Sequence, residues 1–304
     1  MPTRSFSDSA ESTDGPFAVR YVVITPVRDE EANLRFTIES MIQQTIRPTE
    51  WMIVNDGSTD ATGSIIDEFA GLHQWIRAVH RTNRGFRKAG GGVVEAFNDG
   101  YQALKTKDWE FVVKFDGDLS FDSNYFEKCF AHFHRDPKLG VGGGGIYHLI
   151  DGRERLEESP SFHVRGATKI YRQSCWEAIG GLWPAPGWDT MDEVKANHLG
   201  WTTRNFPELR LIHHRLTGTS EGIWNGLIKN GRANYICGYH PLFMLGKCVR
   251  RLFTPPYVVG SLALFIGFAS GYIKRIPQFN DPPAIAYLRQ QQLRKLTGRP
   301  TIWK

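Results

Sequence analysis

Residues Phe111–Phe121 read F-V-V-K-F-D-G-D-L-S-F. The first five are mostly apolar, with β-branched and aromatic side chains, which predicts a short strand. A run of this kind belongs in the buried interior of a parallel sheet. It leads directly into Asp116-Gly117-Asp118. Ligands of open α/β sheets bind just beyond the carboxyl ends of the strands. Two carboxylates there, separated by a glycine, can face one point and hold a hard cation such as Mg²⁺ or Mn²⁺. The same residues also suit a plain strand-to-turn junction, so the motif by itself leaves both readings open.

Upstream, Arg20–Val27 (R-Y-V-V-I-T-P-V) is another apolar strand. Glu30 and Glu31 then sit where a helix dipole favours acids. Leu34, Ile38, Met41 and Ile42 recur at helical spacing. A second strand at Glu50–Val54 ends in N-D-G-S-T-D, and a helix is expected from about Ala61 to Ala70. Strand–helix alternation with short loops predicts an α/β fold, doubly wound on a mostly parallel sheet. Asp56 could accept an N–H from a base edge, or could simply serve the turn in which it lies.

Three motifs in this order, T-P-V-R-D-E-E-A-N-L, I-V-N-D-G-S-T-D and F-D-G-D, resemble family 2 glycosyltransferases of the GT-A fold. The resemblance runs over residues 20–220. It implies inverting transfer of a sugar from a nucleotide diphosphate donor, UDP being the common carrier. It also implies that Thr25, Pro26 and Arg28 line the nucleotide pocket, that Asp56 meets the base, that Asp116 lies near the ribose and that Asp118 holds the metal.

Residues 81–100 bring glycines and positive charge to a helix start, which suits a diphosphate. Asn83, Gly85, Asn98 and Gly100 resemble a family motif there, and Gly90-Gly91-Gly92 departs from it. Lys88, ahead of Arg87, is the basic residue assigned to the phosphates; a solvated surface loop is the other reading. The glycine run Gly140–Gly145 has no Gly-Lys-Ser/Thr and so is not a P-loop. It predicts backbone close to a donor sugar or to a neighbouring strand.

The acceptor side falls on G-W-D-T-M-D-E-V-K-A-N-H-L-G-W, residues 187–201. Asp189, Asp192 and Glu193 share one helical face. Glycosyl transfer needs one base to take the acceptor hydroxyl proton. Counting back from the Gly200-Trp201 step, the resemblance places that base on Asp189, with Trp188 where family members carry glutamate. Asp192 is the second candidate and Glu193 the third. Trp183, Trp188 and Trp201 could form a sugar platform or belong to the core. His213 and His214 are adjacent on an expected strand, Leu209–Leu216, so one of the two can face the site. Relatives supply a metal- or diphosphate-proximal histidine from this region.

Residues 1–17 have no apolar core and read as a disordered tail without signal peptide or anchor. The four cysteines show no ligand spacing, which suits a reducing compartment. From residue 244 onward there are ten Lys/Arg against one acid, a local charge of +9 in a chain of +5. Residues 255–273 carry no charge over nineteen positions, long enough to span a bilayer. Spanning would strand the following basic residues on the far side. The expectation is therefore a helical C-terminal region, 221–304, that re-enters or lies on the membrane, with Arg250, Arg251, Lys274 and Arg275 at headgroups; a buried helix is the alternative.

These readings converge on a metal-dependent glycosyltransferase at the cytoplasmic face of the inner membrane, peripheral or monotopic. Its partners would be a nucleotide-sugar donor and a glycan or lipid-linked acceptor in surface-polysaccharide synthesis. Transfer to a polyprenyl phosphate and a non-catalytic nucleotide-sugar-binding scaffold are the alternatives. No nucleic-acid motif is present, and no G-x-G-x-x-G follows the first strand.

Overall fold

The strands alternate their side chains between two faces, and in this chain both faces are covered. In β1 (Tyr21–Val27) every residue is buried. Tyr21 and Val23 pack on one side with Leu34, Ile38, Phe126 and Phe130. Val22 and Ile24 pack on the other with Val94, Phe97 and Trp176. That two-sided burial is why the strand is nearly continuous in apolar residues.

The structure is a computed structural model that describes residues 19–86, 88, 90–215 and 222–303. The expected disordered tail, residues 1–17, and Arg87 lie outside the described residues. The elements in order are β1, α1 (Leu34–Ile42), β2 (Glu50–Asn55), α2 (Thr62–Leu72), β3 (Ile76–His80), α3 (Gly91–Ala103), β4 (Phe111–Phe115), β5 (Leu119–Phe121) and α4 (Tyr125–Arg135). Then come β6 (Leu139–Ile150), β7 (Arg153–Leu156), β8 (Thr168–Arg172), α5 (Gln173–Ile179), α6 (Trp188–His198) and β9 (Thr202–His213). Four helices follow: α7 (Gly222–Ile236), α8 (Pro241–Arg251), α9 (Tyr257–Ile273) and α10 (Pro282–Leu296).

The strand order is β3-β2-β1-β4-β8-β6-β9-β5, with β7 paired to β6. The first four strands are parallel. β8 runs antiparallel to β4 and to β6, and β5 runs antiparallel to β9. The sheet is therefore mixed, and the expectation of a mostly parallel sheet holds only for its first half. Two local reversals account for this: β4 turns directly into the short β5, and the antiparallel β6–β7 pair precedes β8, which enters between β4 and β6.

The glycine run resolves as tight packing inside β6. A Cβ at Gly143 would lie 2.0 Å from the Thr168 carbonyl oxygen, and one at Gly144 would lie 2.2 Å from that of Leu209. Backbone, not sugar, passes that close.

The C-terminal helices bury Met244, Leu264, Phe268 and Leu288 against Met191 and Val194 of α6. Helices α7 and α9 approach through small residues, as Gly231 and Gly267 each leave no room for a side chain. A Cβ at Gly267 would lie 2.1 Å from the Ile228 carbonyl oxygen. Among the described residues no helix is long and apolar enough to cross a membrane. Helix α9 is one-sided: Ala263, Leu264 and Phe268 face inward, whereas Val258, Leu262, Phe265 and Ile273 are exposed. Gly267→Val should push the two helices apart and destabilise the protein by about 1–3 kcal/mol, read as a lower urea midpoint. An unchanged midpoint would show that they do not touch there.

Candidate active site

The turn after β4 passes hard against the end of β1. A Cβ at Gly117 would lie 2.3 Å from Val27 Cγ1, so only glycine lets the chain turn here, and the two flanking aspartates project together beyond the strand ends. Asp118 is buried, and its Oδ2 accepts from His213 Nε2 at 3.1 Å. The β5–β9 pairing sets Leu119 opposite His213, which brings this histidine to the turn. Asp116, Asp118 and His213 each offer one ligand atom, all within 4.8 Å of one another.

Two atoms of this group, Asp118 Oδ1 and His213 Nδ1, are buried and have no hydrogen-bond partner. Buried polar atoms are seldom left that way. Unpartnered donor atoms beside clustered carboxylates fit a divalent cation, and mixed O/N ligands suit Mn²⁺ as well as Mg²⁺. Burial pushes the Asp118 carboxyl up, but the His213 hydrogen bond and the charges of His213, Arg215 and Lys114 outweigh it and hold it below its ordinary value. Burial alone would lower the His213 imidazole, yet its bond to Asp118 keeps it above its ordinary value. Nearby, Glu30 is pushed up to about 7 by burial and then by the charge of Asp118, with Arg215 opposing. Arg215 pairs with Glu30 at 2.8 Å.

His214 takes no part in this group. Its Nε2 lies 2.5 Å from Ser120 Oγ and its ring stacks on Phe36. Alternation along the chain sends it to the opposite face from His213.

A cavity of about 200 Å³ opens beside the group, lined among others by Lys114, Asp116, Arg165, Trp188, Asp189 and His213. Asp189, in the first turn of α6, therefore shares one cavity with Asp116 and His213. Asp192 does not. It is buried, takes Lys169 Nζ on both oxygens at 2.8 and 2.9 Å, and accepts from the Tyr171 hydroxyl at 2.5 Å. Burial first, and then the charge of Glu193, push its carboxyl up to about 6 against the pull of Lys169. Glu193 is likewise fully buried and holds His163 Nδ1 at 2.8 Å. The second and third base candidates are thus members of a buried ionic network under the helix.

On the expected nucleotide side, Arg28 donates to Asn83 Oδ1 at 3.0 Å and to the Asp56 carbonyl at 3.3 Å. Asp56 takes a bidentate Arg84 at 2.7 and 2.6 Å and also meets Arg81. Thr25 and Pro26, at the end of the central strand β1, are both buried, and the Thr25 hydroxyl accepts from the Trp51 indole at 2.8 Å. Lys88 is tied to Glu95 of α3. Of the tryptophans, Trp188 lines the cavity, while Trp183 packs edge-on against Phe279 and Trp201 packs against the core.

The sequence reading missed Lys114 and Lys169. They stand opposite each other on β4 and β8, both buried, with each ammonium 5.6 Å from the Trp188 ring. Lys114 pairs with Asp116. The signal was available: one lysine in the apolar runs F-V-V-K-F and T-K-I-Y is a buried charge that must have a partner.

The mixed α/β sheet covered on both faces is GT-A-like, a fold it shares with solved glycosyltransferase structures. The glycosyl transferase family 2 model matches residues 22–185, and the chain belongs to that family. Among curated relatives, the uncharacterized glycosyltransferase EpsJ of Bacillus subtilis is 30% identical over 131 residues, 43% of this chain and 35% of its own length. Poly-beta-1,6-N-acetyl-D-glucosamine synthase of Staphylococcus epidermidis is 31% identical over 116 residues, 38% of this chain and 26% of its own. The chain thus matches about a third or less of the length of these two relatives.

Among solved structures, the mannosyltransferase PcManGT from Pyrobaculum calidifontis, in complex with GDP-Man and Mn²⁺, superposes with a TM-score of 0.55 at 16% identity. That match covers 92% of this chain and 82% of the other. S. aureus TarS 1-349, in complex with UDP, gives 0.52 at 16% identity, covering 84% and 72%.

The two histidines separate cleanly by experiment. His213→Ala should weaken Mn²⁺ binding, followed by electron paramagnetic resonance, by at least about tenfold, and His214→Ala should leave it within about twofold. Equal losses would contradict the assigned faces.

Proposed function

We propose that this glycosyltransferase performs metal-dependent, inverting transfer of a sugar from a nucleoside diphosphate donor, UDP-linked in the first instance, to a hydroxyl of a glycan or lipid-linked acceptor. The observation that carries this reading is that Asp189 lines the same cavity as Asp116 and His213. A base and a charge-binding group on one small cavity are what a single displacement requires. The Mn²⁺ in PcManGT and the nucleotides in both structural neighbours support it.

In this reading the acceptor hydroxyl lies against Asp189, whose carboxylate takes the proton as the oxygen attacks the anomeric carbon. The sugar–phosphate bond breaks on the opposite face, so configuration inverts and no covalent enzyme intermediate forms. Asp116, Asp118 and His213 would hold Mg²⁺ or Mn²⁺, which supplies positive charge to the leaving diphosphate. Lys114 holds Asp116 in place and Arg165 closes the cavity wall. Asp56, kept rigid by Arg84, lies on the base side with Arg28.

The test uses UDP-glucose, UDP-galactose, UDP-N-acetylglucosamine and GDP-mannose with Mn²⁺ and a membrane extract as acceptor. One donor should turn over. Asp189→Asn should then lose about 10²–10⁴-fold in kcat, with donor affinity retained. Nucleotide binding without turnover on any donor would instead support the scaffold reading.

The reading extends to location. Leu245, Val249, Phe253, Val258, Leu262 and Phe265 are exposed on α8 and α9 and their junction. With Arg250, Arg251, Lys274 and Arg275 close by in the chain, this face suits the interface of an anionic membrane. Binding to vesicles containing phosphatidylglycerol should fall with salt and be lost in Phe253→Glu/Phe265→Glu. No co-flotation of the wild type would remove the membrane from the proposal.

A further inference from the structure

Helix α6 carries three acids on one face, and one buried ammonium meets all three residues. Lys169 Nζ donates to the Asp189 backbone carbonyl at 2.5 Å and to both Asp192 oxygens at 2.8 and 2.9 Å. It also pairs with Glu193 Oε1 at 3.0 Å. Lys169 is fully buried. An ammonium has three protons, and here its three hydrogen bonds go to the Asp189 carbonyl and to the two Asp192 oxygens, with Glu193 beside them as an ion-pair partner. The two other carboxylates, of Asp192 and Glu193, share this one ammonium. They are held further by the Tyr171 hydroxyl on Asp192 and by His163 and the Val164 amide on Glu193. Asp189 is gripped by its carbonyl alone, which leaves its carboxylate to the cavity.

We propose that Lys169 is a positioning residue for Asp189: from β8 it pins the first turn of α6 to the sheet and fixes where the Asp189 carboxylate stands over the cavity shared with Asp116 and His213. The proposal rests on the reading of Asp189 as the base. The geometry favours positioning over a purely structural ion pair. Asp192 and Glu193 already satisfy the charge of Lys169, so the third bond, to the Asp189 carbonyl, adds orientation and not neutralisation. Gly166 passes close to the same turn, since a Cβ there would lie 3.0 Å from the Trp188 ring and 3.4 Å from Asp189 Cβ.

The experiment compares Lys169→Met with the triple variant Lys169→Met/Asp192→Asn/Glu193→Gln. The triple variant removes the lysine together with its two carboxylate partners at near-constant volume and so avoids leaving two buried carboxylates unpaired. With the donor that turns over in the panel above, kcat should fall about 10–100-fold in the folded variant, the scale expected for misplacing a reacting group by about an ångström. KM for the donor and Mn²⁺ affinity should stay within about twofold. In an Asp189→Asn background the same substitutions should change kcat by less than about twofold, because effects acting through one group do not add. Amide exchange of peptides spanning residues 187–191 should quicken in the variant, a readout that needs no substrate. Full kcat in a folded triple variant, equal losses in both backgrounds, or unchanged exchange would each overturn the proposal. Wild-type turnover by Asp189→Asn would instead remove the base reading and leave the exchange result to judge the clamp.

Discussion

The site depends on how closely one turn passes one strand. Gly117 stands where any side chain would run into Val27, so the chain can reverse directly at the end of β4. The reversal sends β5 antiparallel to β9, and that pairing carries His213 across the sheet to Asp118. Two residues 95 positions apart are thereby joined by a single turn and a three-residue strand. The antiparallel β5–β9 edge and the gathering of Asp116, Asp118 and His213 have the same origin.

Charge is distributed just as tightly. The half-buried and buried acids of the site divide into those with a cationic partner in the protein and those left with capacity. Asp56 is paired with two guanidinium groups, Asp192 and Glu193 share Lys169, and Glu30 meets Arg215. Asp118 keeps one buried oxygen without a partner, and Asp189 keeps its carboxylate on the cavity. Buried charges persist only when paired or when a ligand completes them. The division therefore separates groups that hold the framework from groups available to chemistry.

The C-terminal helices have two faces with different partners. One packs through apolar and aromatic side chains against Met191 and Val194 of α6, the helix that bears Asp189. The other leaves a line of aliphatic and aromatic side chains outside. In sequence the two are indistinguishable, because an uncharged run of nineteen residues looks apolar all round. Helix α9 is shorter than that run and uses its glycines to approach α7, so the apolar content serves packing first.

Much of this was legible in the chain itself. The apolar runs, the turn residues at their ends and the three motifs fix the alternation of the first half, the family resemblance and the presence of Asp56, Asp116 and Asp118 at strand ends, since these follow from local periodicity and turn chemistry. Helix α6 and its acidic face were equally readable. What the chain could not announce was which of several equivalent residues faces the cavity. Asp189, Asp192 and Glu193 share a helical face, and His213 and His214 are neighbours, so only the packing of α6 on β8 and the register of β5 on β9 separate them. The burial of Thr25 and Pro26, and the roles of Lys114 and Lys169, came from the same source. Orientation toward a partner is set by contacts between residues distant in sequence, and these exist only once the sheet has closed.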